Sequence, residues 1–340
     1  MTTAEAIAQF GKELDQLQTI VVIQADNPDA DSLASALALE EFLENRGKKV
    51  HLFCAIEMPE NIRYLPGWDR VSQQLPRNFD GSILVDCAFL NLLGLLEKRG
   101  ELAWLKTKPF FVLDHHGTET DIDFARVLIS DGAYVATGEL LYEVAKALDW
   151  TISQSASQLL AASILADTLG LSTNSLDHNP RPFRIMAELV ELGASVADIQ
   201  DARIERLQYP LSILKYRAAL LNRIEFYNNN QIGVLAIPYQ ELNLYSTLYN
   251  PTVILDELRN VEHVAVGIGF KLYERQGKLI RVTGRIRCTR HAAIAAQLGE
   301  AFGGGGHPKA AGFKIEGAAL DFASIKAACI EKATELLQQQ

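Results

Sequence analysis

The stretch Val112-Leu-Asp-His-His-Gly117 decides how this chain is interpreted, because an apolar run ends there in one acid and two adjacent histidines. A strand that leaves the core of an open α/β sheet delivers its C-terminal residues to the crevice where such sheets bind ligands. Carboxylate and neutral imidazole are common ligands of Mn²⁺ and Zn²⁺. The stretch therefore favours a metal site at a strand end. The alternative is a pair of histidines that only satisfy hydrogen bonds in a core.

Other short apolar runs precede this stretch. Thr19–Gln24, Lys49–Cys54 and residues 81–86 have the near-uniform hydrophobicity that is typical of parallel strands covered on both faces. Apolar residues recur at helical spacing in residues 32–47, 139–148, 153–166 and 183–192. This order of elements predicts an N-terminal α/β domain built on a parallel sheet.

The pattern changes after residue 226. Residues 231–237, 263–273 and 278–287 have the pattern of strands, and residues 292–302 have that of a helix. We therefore predict a smaller C-terminal α/β domain. The predicted boundaries are 1–205 for a metal-binding domain, 206–226 for a linker helix and 227–340 for the second domain.

Composition narrows the class of protein. The chain of 340 residues is long enough for two globular domains with a core each, and its composition, 48% hydrophobic and 22% charged residues, is ordinary for globular proteins. A net charge of −10 argues against binding of long duplex nucleic acid, although a small anionic substrate needs only a local cluster of cations. We expect a cytoplasmic protein without a signal peptide or a membrane span. The four scattered cysteines are expected to be reduced core residues.

Acidic residues follow the other predicted strands. The loop Gln24-Ala-Asp-Asn-Pro-Asp-Ala-Asp-Ser32 holds three carboxylates, which repel one another unless cations offset them. Helix capping by Asp31 or Ser32 is the alternative for this loop. Asp86 ends a strand, where an Asx turn is the alternative, and Asp167 lies in an apolar helical stretch where an unpaired carboxylate is costly. The predicted ligands, for two ions of Mn²⁺ or Mg²⁺, are Asp29, Asp31, Asp86, His115 and Asp167.

A second motif lies near the C-terminus, at Phe302-Gly-Gly-Gly-Gly-His-Pro-Lys-Ala-Ala-Gly312. Glycines let a backbone approach an anion closely, and Arg285 and Arg287 point to the same face of the strand upstream. A flexible helix-to-strand connection is the alternative for the glycine run. The predicted substrate-binding residues are Arg285, Arg287, Gly304, Gly305, Gly306 and His307.

Six motifs together resemble those of the DHH phosphoesterases with a DHH-associated C-terminal domain, a group that includes nanoRNases, 3′-phosphoadenosine 5′-phosphate phosphatases and cyclic dinucleotide phosphodiesterases. They are Asn27-Pro-Asp-Ala-Asp31, Val85-Asp86, Asp114-His-His116, Ala136-Thr-Gly-Glu139, Ala166-Asp-Thr168 and the glycine-histidine motif at 304–312.

The resemblance implies an active-site cleft between the two domains and a pair of Mn²⁺ ions bridged by Asp86. It implies that His116 contacts the scissile phosphate, and Asp114 and His116 are the predicted catalytic residues. Arg287 and His307 would reach across the cleft to a terminal phosphate or nucleotide. The family also implies a homodimer.

The chain departs from the family at position 25, where Ala25 occupies the place of a metal-binding histidine. Alanine cannot bind a metal, so the first of the two ions is expected to be weak or absent unless Asp26 replaces the histidine. The predicted function is a Mn²⁺-dependent exoribonuclease or phosphatase that hydrolyses short oligoribonucleotides or small nucleotides. The alternative is a catalytically impaired, nucleotide-binding regulatory protein on the same scaffold.

Overall fold

A computed structural model describes residues 2–117, 120–245, 249–289 and 291–339 of the chain. The chain divides into two compact units, Met1–Gln208 and Tyr209–Gln340. No helix in the described ranges is both long and apolar enough to cross a membrane. All four cysteines are buried and unpaired, as expected for reduced core residues.

The first unit is built on five parallel strands in the order β2-β1-β3-β4-β5. The strands are β1 (Thr19–Gln24), β2 (Lys49–Cys54), β3 (Gly81–Val85), β4 (Phe110–Asp114) and β5 (Val127–Ser130). The helices are α1 (Thr3–Leu14), α2 (Ala30–Glu44), α3 (Gly94–Lys98), α4 (Glu101–Leu105), α5 (Thr137–Ala147), α6 (Gln154–Asp167), α7 (Arg181–Glu191) and α8 (Val196–Arg206).

Helices cover both faces of this sheet, which explains the uniformly apolar strands. Alternate residues of β1 belong to different cores: Ile20 and Val22 pack with α1, α2, α5 and α6, whereas Val21 and Ile23 pack with α3 and α4. β3 and β4 are buried along their whole length. This is the burial pattern expected for a parallel sheet between two helical layers.

The strand order places a crevice at one edge of the sheet. The chain leaves β1 to add β2 on one side and returns to add β3 on the other, so the order reverses between β1 and β3. Open α/β sheets bind ligands at the carboxyl ends of strands at such a switch point. The residues that follow β1, β3 and β4 are therefore in the position that binds ligands in this architecture.

The second unit has a mixed six-stranded sheet in the order β10-β11-β9-β8-β7-β6, in which only the β7–β8 pair is parallel. Its strands are β6 (Glu225–Tyr227), β7 (Ile232–Ile237), β8 (Val266–Arg275), β9 (Lys278–Cys288), β10 (Gly305–His307) and β11 (Ala310–Glu316). Its helices are α9 (Leu211–Asn222), α10 (Tyr239–Tyr245), α11 (Ala295–Ala301) and α12 (Phe322–Gln338).

The predicted fold class is confirmed: a parallel-sheet α/β unit is followed by a separate unit with a mixed sheet. Two differences bear on the sites. Helix α2 begins at Ala30, two residues before the predicted start, so Asp31 lies in its first turn. The last two glycines of the run at 303–306 belong to β10 (Gly305–His307), a short strand that the sequence pattern did not predict.

Candidate active site

The predicted ligands of the first unit lie at the carboxyl edge of its sheet. Asp29 follows β1, Asp86 follows β3, and His115 follows β4. Asp86 has a left-handed backbone conformation with φ of 57°, so the chain turns sharply at the end of β3. Asp167 is the last residue of α6. Elements distant in sequence thus contribute one acid or imidazole each to one crevice.

Three carboxylates surround one nitrogen of His115. Its Nε2 atom lies 3.1 Å from Oδ2 of Asp167, 3.6 Å from Oδ1 of Asp86 and 3.7 Å from Oδ2 of Asp31. This Nε2 is buried and makes no hydrogen bond with any described residue. Its Nδ1 lies 3.4 Å from the carbonyl oxygen of Tyr134, which orients the ring.

The electrostatics of this group favour a cation at its centre. Burial, and then the charge of Asp167, raise the pKa of Asp31 from 3.8 to about 6. Burial and the charge of Asp31 raise the pKa of Asp86 well above its ordinary value. Burial lowers the pKa of His115, but Asp167 and Asp31 outweigh that effect and raise it to about 9. Converging acids with an unbonded imidazole nitrogen form a donor set that fits a divalent cation.

Residues that sequence analysis did not single out hold these acids in place. The backbone N–H of Thr137 donates to Oδ2 of Asp31 at 2.8 Å, and its hydroxyl donates to Oδ1 of Asp86 at 2.9 Å. Ser35 and Ser163 donate their hydroxyls to Oδ1 of Asp31. Thr137 stands within a motif that the resemblance used, but its two contacts depend on the tertiary structure. Supporting hydrogen bonds of this kind tune metal affinity.

An ion pair between the buried Glu139 and the partly exposed Arg181 fixes the loop behind His115. Glu139 is fully buried, and its carboxylate accepts hydrogen bonds from the backbone N–H of Val135 at 2.6 Å and from Nε of Arg181 at 2.7 Å. The guanidinium of Arg181 lies 4.3 Å from the ring centroid of Tyr134. The pair therefore holds Tyr134, whose carbonyl oxygen lies beside His115.

His116 has a different environment from His115. Its Nδ1 lies 2.7 Å from Oδ1 of the fully buried Asp114, and Oδ2 of Asp114 accepts a hydrogen bond from the hydroxyl of Ser130 at 2.7 Å. The hydrogen bond with Asp114 raises the pKa of His116. The side chain of His116 is 52% exposed, so its Nε2 is accessible to a substrate. Asp114 orients this histidine rather than joining the converging acids.

The loop after β1 contains the cap of α2, which the capping alternative for this loop assigned to Asp31 or Ser32. Asp29, and not Asp31 or Ser32, caps α2, since its Oδ1 accepts from the backbone N–H of Ser32 at 3.0 Å. Asp29 is exposed and belongs to neither of the metal-competent groups that the described residues form. Asp26 bonds the backbone N–H of Leu95 on α3, and Ala25 is buried among apolar residues.

The second unit has its own pocket. An open pocket of about 810 Å³ is lined by both predicted arginines, Arg285 and Arg287, and by Gly304, Gly305 and Gly306. The register pairs Arg285 with Gly312 and Arg287 with Ala310, so both guanidinium groups project from the same face of β9. His307 is exposed at the end of β10 and does not line the pocket.

The glycine run has a packing role that sequence analysis did not foresee. A Cβ atom at Gly304 would lie 2.1 Å from the carbonyl oxygen of Gly312, so β10 can approach β11 only with glycine there. At Gly305, a Cβ atom would meet nothing within 4 Å. Glycine is therefore sterically required at position 304 but not at position 305.

Comparison with known proteins agrees with this architecture. The N-terminal domain of the DHH family matches residues 19–167. The chain is 21% identical over 302 residues to the bifunctional oligoribonuclease and PAP phosphatase NrnA of Bacillus subtilis, an alignment that covers 87% of this chain and 89% of that protein. It is 22% identical over 309 residues to the protein of the same name from Mycoplasma pneumoniae, covering 90% of each.

A solved structure supports the fold over the full length. The crystal structure of an exopolyphosphatase-related protein from Bacteroides fragilis has a TM-score of 0.77 with this chain at 20% identity, covering 98% of both. The matched family domain spans β1 to the end of α6 and contains Asp29, Asp31, Asp86, His115 and Asp167. Residues 19–167 of this chain therefore form an N-terminal domain of the DHH family.

Proposed function

We propose that this chain is a divalent-cation-dependent phosphoesterase that hydrolyses short oligoribonucleotides or small nucleotides. The convergence of Asp31, Asp86 and Asp167 on Nε2 of His115 carries the proposal. The two relatives aligned over most of the chain, each named as an oligoribonuclease and PAP phosphatase, support a nucleotide substrate. The net charge of −10 is consistent with a short substrate rather than long nucleic acid.

The proposed ligands of the cation are Asp31, Asp86, His115 and Asp167, drawn from two groups, one of Asp31, His115 and Asp167 and one of Asp86, His115 and His116. The exposed Asp29 belongs to neither group and is kept as a proposed ligand because of the resemblance. Carboxylate oxygens with one imidazole suit Mn²⁺, and Mg²⁺ as a second candidate, better than a closed zinc site. A cation in this position supplies positive charge to phosphoryl oxygens and makes water more acidic.

His116 is the proposed catalytic residue of the protein itself. Because Asp114 engages Nδ1, the atom of His116 that can meet a phosphoryl or leaving oxygen is Nε2. The raised pKa keeps a proton on the ring at higher pH, so Nε2–H can donate to developing negative charge. Asp114 is a positioning residue, since its oxygens are taken by His116 and Ser130.

We propose that the pocket of the second unit holds a terminal phosphate or nucleotide. Arg285 and Arg287 provide guanidinium groups, and Gly304 to Gly306 provide backbone at the pocket wall. Guanidinium is well suited to bidentate binding of phosphate. His307 is included in this proposal as a residue at the exposed end of β10. A homodimer and a cytoplasmic location remain predictions.

A second candidate function is a nucleotide-binding protein whose catalysis is lost or much reduced. The observation that favours it lies at Ala25, which offers only a methyl group where the resemblance places a metal-binding histidine. Oδ2 of Asp26 bonds the backbone N–H of Leu95, and Asp26 belongs to neither of the metal-competent groups of the described residues. This candidate predicts nucleotide binding with one ion or none and little turnover.

Hydrolysis of a diadenosine dinucleotide, a cyclic dinucleotide and adenosine 3′,5′-bisphosphate tests both functions. We expect Mn²⁺-stimulated release of nucleoside monophosphate from at least one of them, lost in Asp86→Ala. If wild type and Asp86→Ala are equally inactive on all three, the phosphoesterase proposal fails. Calorimetric titration with the same nucleotides then decides whether the chain binds without turning over.

A further inference from the structure

A small pocket lies against the acidic group in the first unit. It measures about 190 Å³, and the residues that line it include Asp29, Asp167, Asn61, Tyr64 and Arg203. Sites that enclose a whole drug-sized ligand measure about 300–1,000 Å³, so this pocket suits a single group of a ligand. Sequence analysis assigned no function to Asn61, Tyr64 or Arg203.

Arg203 brings to this pocket a solvent-exposed cation that has no ion-pair partner in the described ranges. Among the residues that the structure describes, no carboxylate oxygen lies within 4.0 Å of its guanidinium nitrogens. One turn later on the same helix, Arg206 is fully engaged: its Nε donates to the carbonyl oxygen of Glu60 at 3.1 Å and its NH2 group to the Glu60 carboxylate. The two arginines therefore differ in their contacts: Arg206 is held by Glu60, whereas the guanidinium of Arg203 is available to a ligand.

The helix that carries Arg203 is held at both ends. At its start, the backbone N–H of Ser195 donates to Gln158 of α6 at 2.7 Å, and Gln158 donates back to the carbonyl oxygen of Ser195 at 3.2 Å. At its end, Arg206 bonds Glu60. Helix α8 thus presents Arg203 from a fixed position beside α6, the helix that ends at Asp167.

Charge decides which ligand the pocket prefers. Two carboxylates and one guanidinium give its walls a net charge of −1. Asp31 and Asp86 of the acidic group bring the local charge to −3, and the two divalent cations predicted for that group would change it to +1, which leaves the guanidinium of Arg203 without an anion to pair with. The phenol of Tyr64 and the amide of Asn61 add neutral hydrogen-bond donors to the lining of the pocket.

From these contacts we infer that Arg203, with Tyr64 and Asn61, forms a subsite for a second, uncleaved phosphate group of the substrate. The inference rests on the proposed function, because it places this phosphate beside the group that would hold the cation. The phosphate would come from the 5′ or the 3′ end of a short oligonucleotide. A guanidinium forms charge-assisted, bidentate hydrogen bonds with such a group.

Binding of hydrolysis-resistant dinucleotides tests the subsite. Three phosphorothioate-linked diadenosine ligands are compared by calorimetry with Mn²⁺: one without a terminal phosphate, one with a 5′-phosphate and one with a 3′-phosphate. For wild type, we expect a terminal phosphate at one end to increase affinity about tenfold or more, as a charge-assisted hydrogen bond does. Arg203→Ala should remove that increase and leave the affinity for the unphosphorylated ligand unchanged.

Matched variants separate this effect from a loss of structure. Arg184→Ala removes an exposed arginine from α7 and should keep the wild-type increase, whereas Arg203→Lys should keep only part of it. If Arg203→Ala retains the full increase for both terminal phosphates, the subsite is refuted. If wild type binds none of the three ligands, the proposed function itself fails, which is a distinguishable result.

Discussion

Oδ2 of Asp26 accepts a hydrogen bond from the backbone N–H of Leu95 at 2.8 Å. Its other carboxylate oxygen, Oδ1, is buried and makes no hydrogen bond with the described residues. The carboxylate is therefore anchored to the first turn of α3. Its Oδ1 has no partner among the described residues, and Asp26 belongs to neither of their metal-competent groups, while Ala25 beside it offers no donor atom to a metal.

The first prediction concerns this missing donor. Ala25→His should raise the number of Mn²⁺ ions bound per chain, because an imidazole then joins the acids that follow β1 and β3. Ala25 is 5% exposed, so the larger side chain should also cost about 1–3 kcal/mol of stability. Ala25→Leu carries similar bulk without a donor and serves as the control. Equal stoichiometry in the two variants, measured by metal analysis, would contradict the prediction.

Thr137 provides the second prediction. Thr137→Val removes the hydroxyl that bonds Asp86 but keeps the backbone N–H that bonds Asp31. Loss of such a supporting hydrogen bond weakens metal affinity by about 10–100-fold. Calorimetric titration with Mn²⁺ measures the change. Thr252→Val removes a buried threonine hydroxyl from the second unit and should leave the affinity at the wild-type value.

The third prediction is a pH dependence of stability without metal. The pKa of Asp31 is raised to about 6 from 3.8, so the folded state binds more protons than the unfolded state between these values. The contribution of Asp31 to stability in EDTA should therefore fall as pH rises from about 4 to 6, by on the order of 3 kcal/mol. Asp86, whose pKa is also raised, contributes in the same direction.

Urea unfolding measures this slope. Saturating Mn²⁺ should flatten it, because the cation replaces the protons, and Asp86→Asn in EDTA should flatten it in part. Without metal, the stability of the wild type relative to Asp86→Asn should fall between about pH 4 and 6. A relative gain in stability over this interval would be inconsistent with repulsion among these acids.

The fourth prediction uses two neighbouring glycines. Gly304→Ala should destabilise the protein by about 1–3 kcal/mol, since its Cβ atom would overlap the carbonyl oxygen of Gly312. Gly305→Ala, whose Cβ atom faces open space, should keep wild-type stability and yet weaken nucleotide binding if the pocket backbone contacts a phosphate. Thermal unfolding and calorimetry distinguish the two effects. Equal loss of stability in both variants would oppose this assignment.

Strand ends were the part of the site that sequence could predict. An apolar run that stops at Asp86 or Asp114 indicates both the strand and the edge at which the acid lies, because parallel strands share one direction. The capping alternative for the loop after β1 named Asp31 or Ser32, whereas the cap is Asp29, since three acids in one loop are equivalent until the helix start is known. The contacts of Thr137 and Ser163 with Asp31 join residues more than 100 positions apart, and no local pattern reports them.

The hydrogen bonds of Asp31 limit the number of further partners that its carboxylate can bind. Oδ1 of Asp31 receives the hydroxyls of Ser35 and Ser163 and a longer contact from the N–H of Gly138, which uses its lone pairs. Oδ2 receives one N–H, from Thr137, and keeps one lone pair free. A carboxylate with a single free lone pair can coordinate one ion or accept one hydrogen bond at a time. Asp86 accepts only one hydrogen bond from the described residues, so the capacity to serve two partners belongs to Asp86.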